Sequence, residues 1–467
     1  MVANKKFGRV SAAGLAGLLL ALCGCGGVSM GGGGTTNPPP PPNPGIQSIN
    51  HIVFMIQENR SFDTYFGQLP AYWQANGIAG QAIDAIPAGA SNPGYQGAPP
   101  ITAFHIATEC FENLSPSWNE SHLDWNLESP TSPTPTMDGY VFNAAHFAAV
   151  NGLFDTTGSR AMGYYDGNDL NYYYFMASKF ATSDRWFSPT MDRTQINRLY
   201  LFAATSKGYA YPPGSFPEDQ GPVDALTIFD ALQQAGISWK IYTSDTSGST
   251  EAPVTYLTQF KAYAPPNGLP ANVVPVSEYF TDLENGTLPQ VALIEGGYNS
   301  GRDEHPNNNV QTGAAYVSTL INRLMNSSSW KDSVFILTYD EAGGLYDHVP
   351  PQPAVSPDGI APIDLQPTDI CTTTSGPTCD FTYTGFRLPL LVVSPFTKKN
   401  FVSHTVADYT AILKLIEARF NVPALTQRDA AQMDMTEFFD FAGIPWATPP
   451  TPPEQATNGV CDFQHLQ

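Results

Sequence analysis

Charged residues are scarce in this sequence, and basic residues are the scarcer kind. Lys and Arg number 21 against 42 Asp and Glu among 467 residues, so the formal net charge is −21 at pH 7. A chain this acidic lacks the positive surface that attracts nucleic acids and anionic lipids. We therefore expect no nucleic-acid partner, while divalent cations and neutral or zwitterionic substrates remain compatible with the charge.

Long apolar runs are also lacking beyond the N-terminus, since none approaches the roughly 18 residues that a membrane-spanning helix needs. The one apolar run at the N-terminus, Ala12 to Leu22, follows three basic residues, Lys5, Lys6 and Arg9. This order is typical of a signal peptide. Leu22-Cys23-Gly24-Cys25 resembles a bacterial lipobox. We predict a lipoprotein signal peptide over residues 1–24, export, and a lipid anchor on Cys25 that holds the protein at the membrane; the alternative is an ordinary signal peptide and a secreted protein.

Cysteine is scarce as well, and four of the six cysteines lie beyond the predicted signal: Cys110, Cys371, Cys379 and Cys461. An exported protein permits disulfides, and four cysteines allow three pairings. Cys371 and Cys379 flank a short loop that closes easily, so we favour that pair, and Cys110–Cys461 then follows. Neither pair has the spacing of a zinc finger.

Proline and glycine, in contrast, are abundant, with 42 and 40 residues. We predict a Gly/Pro-rich linker over residues 25–48 and a single catalytic domain over residues 49–467. Residues from about 68 to 120 are rich in Gly, Pro, Ala and Asn, and we expect extended loops there.

Short apolar runs alternate with helical patterns along the rest of the chain. The predicted strands are Ile52–Ile56, Ile237–Tyr242, Val291–Ile294, Val334–Tyr339 and Leu388–Val393. The predicted helices are Leu170–Ala181, Leu199–Ala204, Ala225–Ala235, Ala314–Met325 and Val406–Phe420. This alternation indicates an α/β fold with a central, mostly parallel sheet and long loop insertions.

Acidic and amide side chains follow two of these strands. Glu58 and Asn59 come after the first strand, and Asp340 and Glu341 come after Val334–Tyr339. Ligands in open α/β sheets bind outside the carboxyl ends of strands. Clustered carboxylates repel one another unless a cation or a proton neutralises them, and oxygen ligands suit a divalent ion. Each pair alone could be a helix cap or a solvated turn, but together they favour a metal site.

Thr194 lies just ahead of the helical run Leu199–Ala204. Backbone N–H groups and the helix dipole favour a phosphate at a helix N-terminus. The sequence thus places a hydroxyl where a phosphate group could bind.

The motifs now support a specific resemblance. Glu58-Asn59-Arg60-Ser61-Phe62-Asp63 and Asp340-Glu341-Ala342-Gly343-Gly344 with Tyr346-Asp347-His348-Val349-Pro350-Pro351 resemble the two signatures of a bacterial phosphoesterase family. This family includes non-zinc phospholipases C and certain acid phosphatases. Intermediate matches, such as Asp303-Glu304-His305-Pro306, run in order from about residue 50 to 441.

The resemblance implies an alkaline-phosphatase-like three-layer sandwich with a metal-bound hydroxyl nucleophile. It places the metal ligands at Glu58, Asn59, Thr194, Asp340 and Glu341, with Thr194 also the nucleophile. It further implies active-site roles for His122 and His305, and a weaker one for His348. These histidines would hold phosphoryl oxygens or protonate the leaving group, and a purely structural role is the alternative for each. Arg198 either binds phosphate or caps a local carboxylate.

The chain departs from the family beside the nucleophile. The family pattern Gly-Pro-Thr is replaced by Asp192-Arg193-Thr194. The turn could therefore differ, which leaves Ser188 and Thr190 as alternative nucleophiles.

The resemblance implies metal-dependent hydrolysis of phosphoesters through a phospho-threonine intermediate, with the identity of the divalent metal left open. We favour phospholipase C action on phosphatidylcholine-like phospholipids. One alternative is acid phosphatase action on soluble monoesters, and another is a catalytically inactive cell-surface binding protein.

Overall fold

The structure is a computed structural model that describes residues 45–216, 221–247 and 252–467. The predicted signal peptide, Cys25 and residues 25–44 of the predicted linker lie outside the described residues. The last four residues of the predicted linker, Gly45–Ser48, form a short 3-10 helix.

An eight-stranded sheet runs through the centre of the protein. Numbered in chain order, its strands are β1 (His51–Gln57), β2 (Ala181–Ser183), β3 (Trp239–Thr243), β4 (Val273–Pro275), β5 (Val291–Glu295), β6 (Ser333–Tyr339), β7 (Leu391–Val393) and β8 (Phe401–Ser403). Their spatial order is β4-β3-β5-β1-β6-β7-β2-β8. Strand β7 is antiparallel to both of its neighbours, and every other pairing is parallel.

The two middle strands show why the sheet lies inside the protein. Every residue of β6 is buried, and so is every residue of β1 after His51. Successive side chains in a strand point to opposite faces, so both faces of the sheet are covered. The apolar runs of Val, Ile, Leu and Phe in these strands suit that position. The predicted α/β fold with a central, mostly parallel sheet is confirmed.

Eleven α-helices occur among the described residues, and we number them in chain order. They are α1 (Phe62–Phe66), α2 (Leu69–Ala75), α3 (Trp118–Trp125), α4 (Tyr140–Asn151), α5 (Asn171–Lys179), α6 (Thr194–Ala203), α7 (Ile228–Ala235), α8 (Ser277–Asn285), α9 (Val310–Met325), α10 (Ala411–Phe420) and α11 (Gln427–Ala430). Two-residue strands at Ser91–Asn92, Ile101–Thr102, Phe104–His105, Gly163–Tyr164, Trp186–Phe187, Thr246–Ser247, Ala252–Pro253 and Ala407–Asp408 lie outside the main sheet.

Several predicted elements differ from the observed ones in length or kind. The region from 68 to 120, predicted as loops, contains α2, where Pro70 lies in the first turn and Leu69 and Trp73 are buried. Pro is tolerated in a first helical turn, so the Pro-rich composition concealed this helix. The predicted helix Val406–Phe420 begins only at Ala411, because Ala407–Asp408 pair with Trp186–Phe187 instead.

Two disulfides join the four cysteines as predicted, Cys371–Cys379 and Cys110–Cys461. The first closes a short loop, with a sequence separation of 8, and the second spans a separation of 351. No helix among the described residues has the length and apolarity to span a bilayer.

The two disulfides should stabilise the fold unequally, because a longer closed loop removes more entropy from the unfolded chain. Loop-closure entropy predicts that replacing Cys110 and Cys461 by Ser lowers the free energy of unfolding by roughly 3 kcal/mol more than replacing Cys371 and Cys379. Urea unfolding of the two double variants under oxidising conditions measures the difference. Equal losses would contradict this ranking.

Candidate active site

The carboxyl ends of β1 and β6 bring the two predicted motifs side by side. The strands are parallel neighbours with Gln57 opposite Tyr339, so the residues that follow each strand meet at the same edge. The backbone N–H of Asn59 donates to Asp340 Oδ1 at 2.9 Å. The backbone N–H of Arg60 donates to the Glu341 carbonyl at 3.0 Å. Sheet register, rather than any local sequence feature, brings these segments together.

The turn after β1 depends on two residues that tolerate unusual backbone angles. Asn59 has a φ of 57°, in the left-handed region that Asn adopts more readily than most residues. Gly343 has a φ of 74°, and a Cβ there would lie 2.8 Å from the Asn59 carbonyl oxygen. A side chain at Gly343 would therefore push the two ligand-bearing turns apart.

Thr194 joins this group from a third element. It is the first residue of α6, and its Oγ1 donates to Glu58 Oε2 at 3.2 Å. Its exposed fraction is 9%, against 0% to 3% for Glu58, Asn59, Asp340 and Glu341. The structure thus brings together all five residues that the resemblance implied as metal ligands.

Three oxygens in this cluster are buried without a hydrogen bond from any described residue: Asn59 Oδ1, Asp340 Oδ2 and Glu341 Oε1. Buried polar atoms rarely remain unpaired, because each loses its hydration without compensation. Together with Glu58 Oε2 and Thr194 Oγ1 they supply oxygens of the kind that hard divalent cations accept, although the carboxylate oxygens of Glu58, Asp340 and Glu341 do not all lie within 4.8 Å of one another. The residues present therefore fit a divalent metal ion.

The electrostatics of the cluster also favour a bound cation. Burial, and next the charge of Asp340, raise the pKa of Glu58 well above its ordinary value of 4.5, although Arg198 opposes this. Burial and Asp340 likewise raise the pKa of Glu341, against a backbone hydrogen bond from Gly343. Burial and repulsion from Asp340 therefore disfavour the ionised form of both carboxyl groups, and a bound cation would offset that cost.

Arg198 lies beneath the cluster and is completely buried. Its guanidinium donates to Glu58 Oε1 at 2.8 Å, and it lies 3.5 Å from Glu295 Oε2 and 3.6 Å from Asp340 Oδ2. Tyr256 and Tyr298 cover it, with ring centroids at 4.8 and 5.3 Å. Of the two roles considered for Arg198, these contacts match the pairing with local carboxylates.

A cavity of about 430 Å³ opens above Glu58, Asn59 and Thr194. Its wall also includes His305, Arg193, Asp303, and the aromatic side chains of Phe147, Tyr256 and Tyr298. Most of the residues that line this cavity are polar or charged, and a polar cavity of this size suits a small charged substrate.

The segment that carries His305 is held from below by a buried glutamate. Glu304 has a φ of 67° and is fully buried, and its carboxylate accepts hydrogen bonds from Gln57 and from three tyrosines, Tyr65, Tyr173 and Tyr339. Arg60 Nε donates to the Glu304 carbonyl at 2.9 Å. These contacts turn His305 toward the cavity, where its Nδ1 lies 2.8 Å from Asn307 Oδ1.

His122 is not brought to the cavity. Its ring is completely buried, with Nδ1 2.6 Å from the Trp118 carbonyl oxygen and Nε2 3.1 Å from that of Thr378. Burial lowers the pKa of His122. The contacts are those of a structural histidine that joins α3 to the loop around Thr378.

His348 also belongs to a different group, an ionic network with Asp63 and Arg387. Its Nδ1 lies 2.7 Å from Asp63 Oδ2, and Arg387 donates to Asp63 at 2.7 Å and to Asp347 at 3.1 Å. Asp63, Asp347 and His348 lie close enough to hold a metal ion. The buried Arg387 already supplies positive charge to both carboxylates, so this group is balanced without one.

The sequence reasoning did not assign a role to Arg193 or Asp303, which line the cavity, or to Glu295, which contacts Arg198. Glu295 ends β5 at the same sheet edge as Glu58, a signal that the strand pattern contained. The alternative nucleophiles Ser188 and Thr190 are both buried, and the Ser188 hydroxyl lies 3.5 Å from the carbonyl oxygens of Thr190 and Phe386.

His348 should stabilise the fold in a pH-dependent way. Burial alone would lower the pKa of His348, but the hydrogen bond and charge of Asp63 raise it from 6.5 to about 9. The stabilisation is therefore fully present below pH 6.5 and is lost as the pH rises to about 9. His348→Gln should therefore lower the free energy of unfolding by on the order of 2 kcal/mol more at low pH than at high pH, since one pKa unit corresponds to about 1.4 kcal/mol.

Urea unfolding at about pH 6 and about pH 10 tests this expectation for His348→Gln. His404→Gln is the matched control, because His404 pairs with Asp184 at 2.8 Å but is 54% exposed. A cost for His348→Gln that is the same at both pH values would refute the expected linkage.

Comparison with known proteins gives the same assignment as the motifs. The model of the Phosphoesterase family matches residues 49–423. Phospholipase C B of Mycobacterium tuberculosis is 33% identical over 445 residues, which covers 86% of this chain and 80% of that protein. Non-hemolytic phospholipase C of Burkholderia pseudomallei is 28% identical over 460 residues, covering 87% of this chain and 61% of that protein.

Among solved structures, a protein of the alkaline phosphatase superfamily from Vibrio parahaemolyticus aligns with a TM-score of 0.33 and 12% identity. That alignment covers 79% of this chain and 78% of the other. The family match and the sequence relatives decide the assignment. The chain belongs to the Phosphoesterase family and is a hydrolase of phosphoric esters.

Proposed function

We propose that this enzyme is a metal-dependent phospholipase C that uses Thr194 as its nucleophile. The observation that carries the proposal is the set of three buried oxygens that accept no hydrogen bond from the described residues, from Asn59, Asp340 and Glu341, beside the Thr194 hydroxyl. A hydroxyl among buried oxygen ligands at the floor of a cavity is suited to attack a phosphorus atom.

Each residue has a distinct task in this reaction. A divalent cation held by Glu58, Asn59, Thr194, Asp340 and Glu341 would favour ionisation of the Thr194 hydroxyl and offset charge on the phosphoryl group. Thr194 Oγ1 loses its proton to water in the cavity and forms the new bond to phosphorus as the bond to the leaving alkoxide breaks. His305 faces the cavity and protonates that alkoxide. Water then hydrolyses the phospho-threonine and restores Thr194.

Arg198 positions the carboxylates of the site and does not contact the substrate. Its contacts with Glu58, Glu295 and Asp340 hold the carboxylates of three strand ends in one place. Breaking a buried ion pair by removing one partner leaves uncompensated charge, so Arg198 is a structural requirement of the site.

Phosphatidylcholine-like phospholipids are the substrates that we favour. The relatives at 33% and 28% identity are named phospholipases C. Phe147, Tyr256 and Tyr298 add aromatic surface to the cavity wall, and aromatic faces bind quaternary ammonium groups. The proposed anchor at Cys25 would hold the enzyme close to such lipids.

Acid phosphatase action on monoesters is the second candidate, and Arg193 favours it. Arg193 lines the cavity beside Thr194, and its Nε is buried without a described hydrogen-bond partner. A monoester phosphate carries one more negative charge than a diester, so the guanidinium of Arg193, whose charge also acts on Glu341 and Asp192, favours the monoester.

Thr194→Ala should lower the turnover of the mature protein by at least about 10³-fold, because it removes the nucleophile. Thr194→Ser should keep part of the activity, and chelation of divalent metals should abolish it in the unchanged protein. The measurement is hydrolysis of phosphatidylcholine vesicles and of a chromogenic phosphomonoester, with release of phosphocholine followed in the first case.

Thr190→Ala is the matched control, because Thr190 is another buried threonine close to α6. Full activity of Thr194→Ala together with loss in Thr190→Ala would overturn the nucleophile assignment. Hydrolysis of the monoester alone would favour the phosphatase, and hydrolysis of neither substrate would contradict the proposal.

Arg193→Ala should change substrate preference rather than abolish turnover. A charge-assisted hydrogen bond is worth about 1.5–3 kcal/mol, so kcat/KM for the monoester should fall by roughly 10- to 100-fold, and less for the diester. Arg323→Ala is the control, since Arg323 pairs with Glu284 on the surface. An equal fall for both substrates would contradict a role in preference.

A further inference from the structure

A second group of metal-binding side chains lies away from the cavity. Donor atoms of His105, Asp166 and Asp169 all lie within 4.8 Å of one another. The strand Phe104–His105 pairs in parallel with Gly163–Tyr164, and the two aspartates follow that second strand. Backbone pairing therefore fixes the distance between the imidazole and the acidic loop.

The contacts within the group are hydrogen bonds that hold the side chains close to the spacing of ligands around one ion. His105 Nε2 lies 2.8 Å from Asp169 Oδ2, and the backbone N–H of Asp166 donates to the same oxygen at 2.7 Å. Adjacent ligands that each lie about 2.1 Å from a metal are roughly 3 to 3.5 Å apart. The His105 and Asp169 atoms need to separate by only a few tenths of an ångström to share an ion.

A buried carboxylate with a free oxygen adjoins the group. Glu109 is 8% exposed, and its Oε2 accepts no hydrogen bond from any described residue. Gln311 Nε2 donates both to Glu109 Oε1 at 3.1 Å and to the Asp169 carbonyl at 3.2 Å. One amide nitrogen thus bridges Glu109 and Asp169, which places the Glu109 carboxylate against the acidic loop.

The negative charge of this group is poorly offset. Burial, and next the charge of Asp169, raise the pKa of Glu109 to about 7, and His105 is the only cationic group that opposes them. No Lys or Arg within the described part of the chain forms an ion pair with Glu109, Asp166 or Asp169. The group around Asp63 differs, because Arg387 lies between its carboxylates.

We propose that His105, Asp166 and Asp169 form a second divalent-cation site, separate from the one at Thr194, with the buried carboxylate of Glu109 beside it. One imidazole nitrogen and two carboxylates suit a borderline ion such as Mn²⁺ or Zn²⁺. The ion would tie the loop before α5 to the segment that Cys110 fixes to Cys461 and that continues to Asn113 in the cavity wall. It stabilises the fold and takes no part in the reaction at Thr194.

Metal counting in variants of the full chain tests the proposal. Asp340→Asn disables the site at Thr194, so the ion that this variant keeps after dialysis against Mn²⁺ or Zn²⁺ reports the second site. We expect one ion per chain, together with a metal-dependent rise in the thermal midpoint. When Asp166→Asn or His105→Gln is added to Asp340→Asn, the double variant should lose both the bound ion and the metal-dependent rise in the thermal midpoint. Asp166 is partly exposed and Asn keeps its local hydrogen bond, so the fold should survive.

Asp462→Asn is the matched control, because Asp462 forms an exposed pair with His465 at 2.8 Å. That variant should keep the ion. If Asp340→Asn unfolds, the same comparison in the unchanged background should show one ion fewer for Asp166→Asn. The proposal is overturned if Asp166→Asn changes neither the metal content nor the metal-dependent shift in the thermal midpoint.

Discussion

The burial of several carboxylates at one edge of the sheet is the constraint on which the rest of this structure depends. Parallel register between β1 and β6 places Glu58 beside Asp340, and Glu295 ends the next strand. One guanidinium, that of Arg198, reaches all three. A single positive charge does not balance the cluster, and the unpaired oxygens of Asn59, Asp340 and Glu341 show where further compensation is needed.

The protein stabilises its other buried acids in different ways. Around Asp63 and Asp347 the compensation is a buried arginine, Arg387. Glu304 has no partner of opposite charge at its carboxylate and instead accepts hydrogen bonds from three tyrosines and Gln57. Both arrangements satisfy the carboxylate oxygens with the chain's own groups. The cluster beside Thr194 and Glu109, which adjoins Asp169, instead leave buried oxygens without a hydrogen bond from the described residues, as Asp124, Asp192 and Glu417 also do.

Family membership and local chemistry contribute different parts of the functional account. The family match and the relatives assign hydrolysis of phosphoric esters. We propose that the choice between a lipid diester and a soluble monoester depends on the cavity wall, where aromatic rings and Arg193 favour opposite substrates. Arg193 is also the point at which the chain departs from the Gly-Pro-Thr pattern of the family. In the function that we propose, substrate preference depends on residues beside Thr194, and the reaction depends on the residues at the strand ends.

The sequence by itself predicted the α/β fold and the polar residues that follow two of its strands, because apolar periodicity and short motifs are local properties. It predicted Cys371–Cys379 from a short loop, and Cys110–Cys461 followed only by elimination. It did not reveal α2, whose first-turn proline belongs to a Pro-rich region. Only the tertiary structure decided which histidines reach the cavity: His305 does, whereas His122 is enclosed by backbone carbonyls and His348 by carboxylates. The physical reason is that a side chain's role depends on neighbours brought by register and packing, which lie up to hundreds of residues away along the chain.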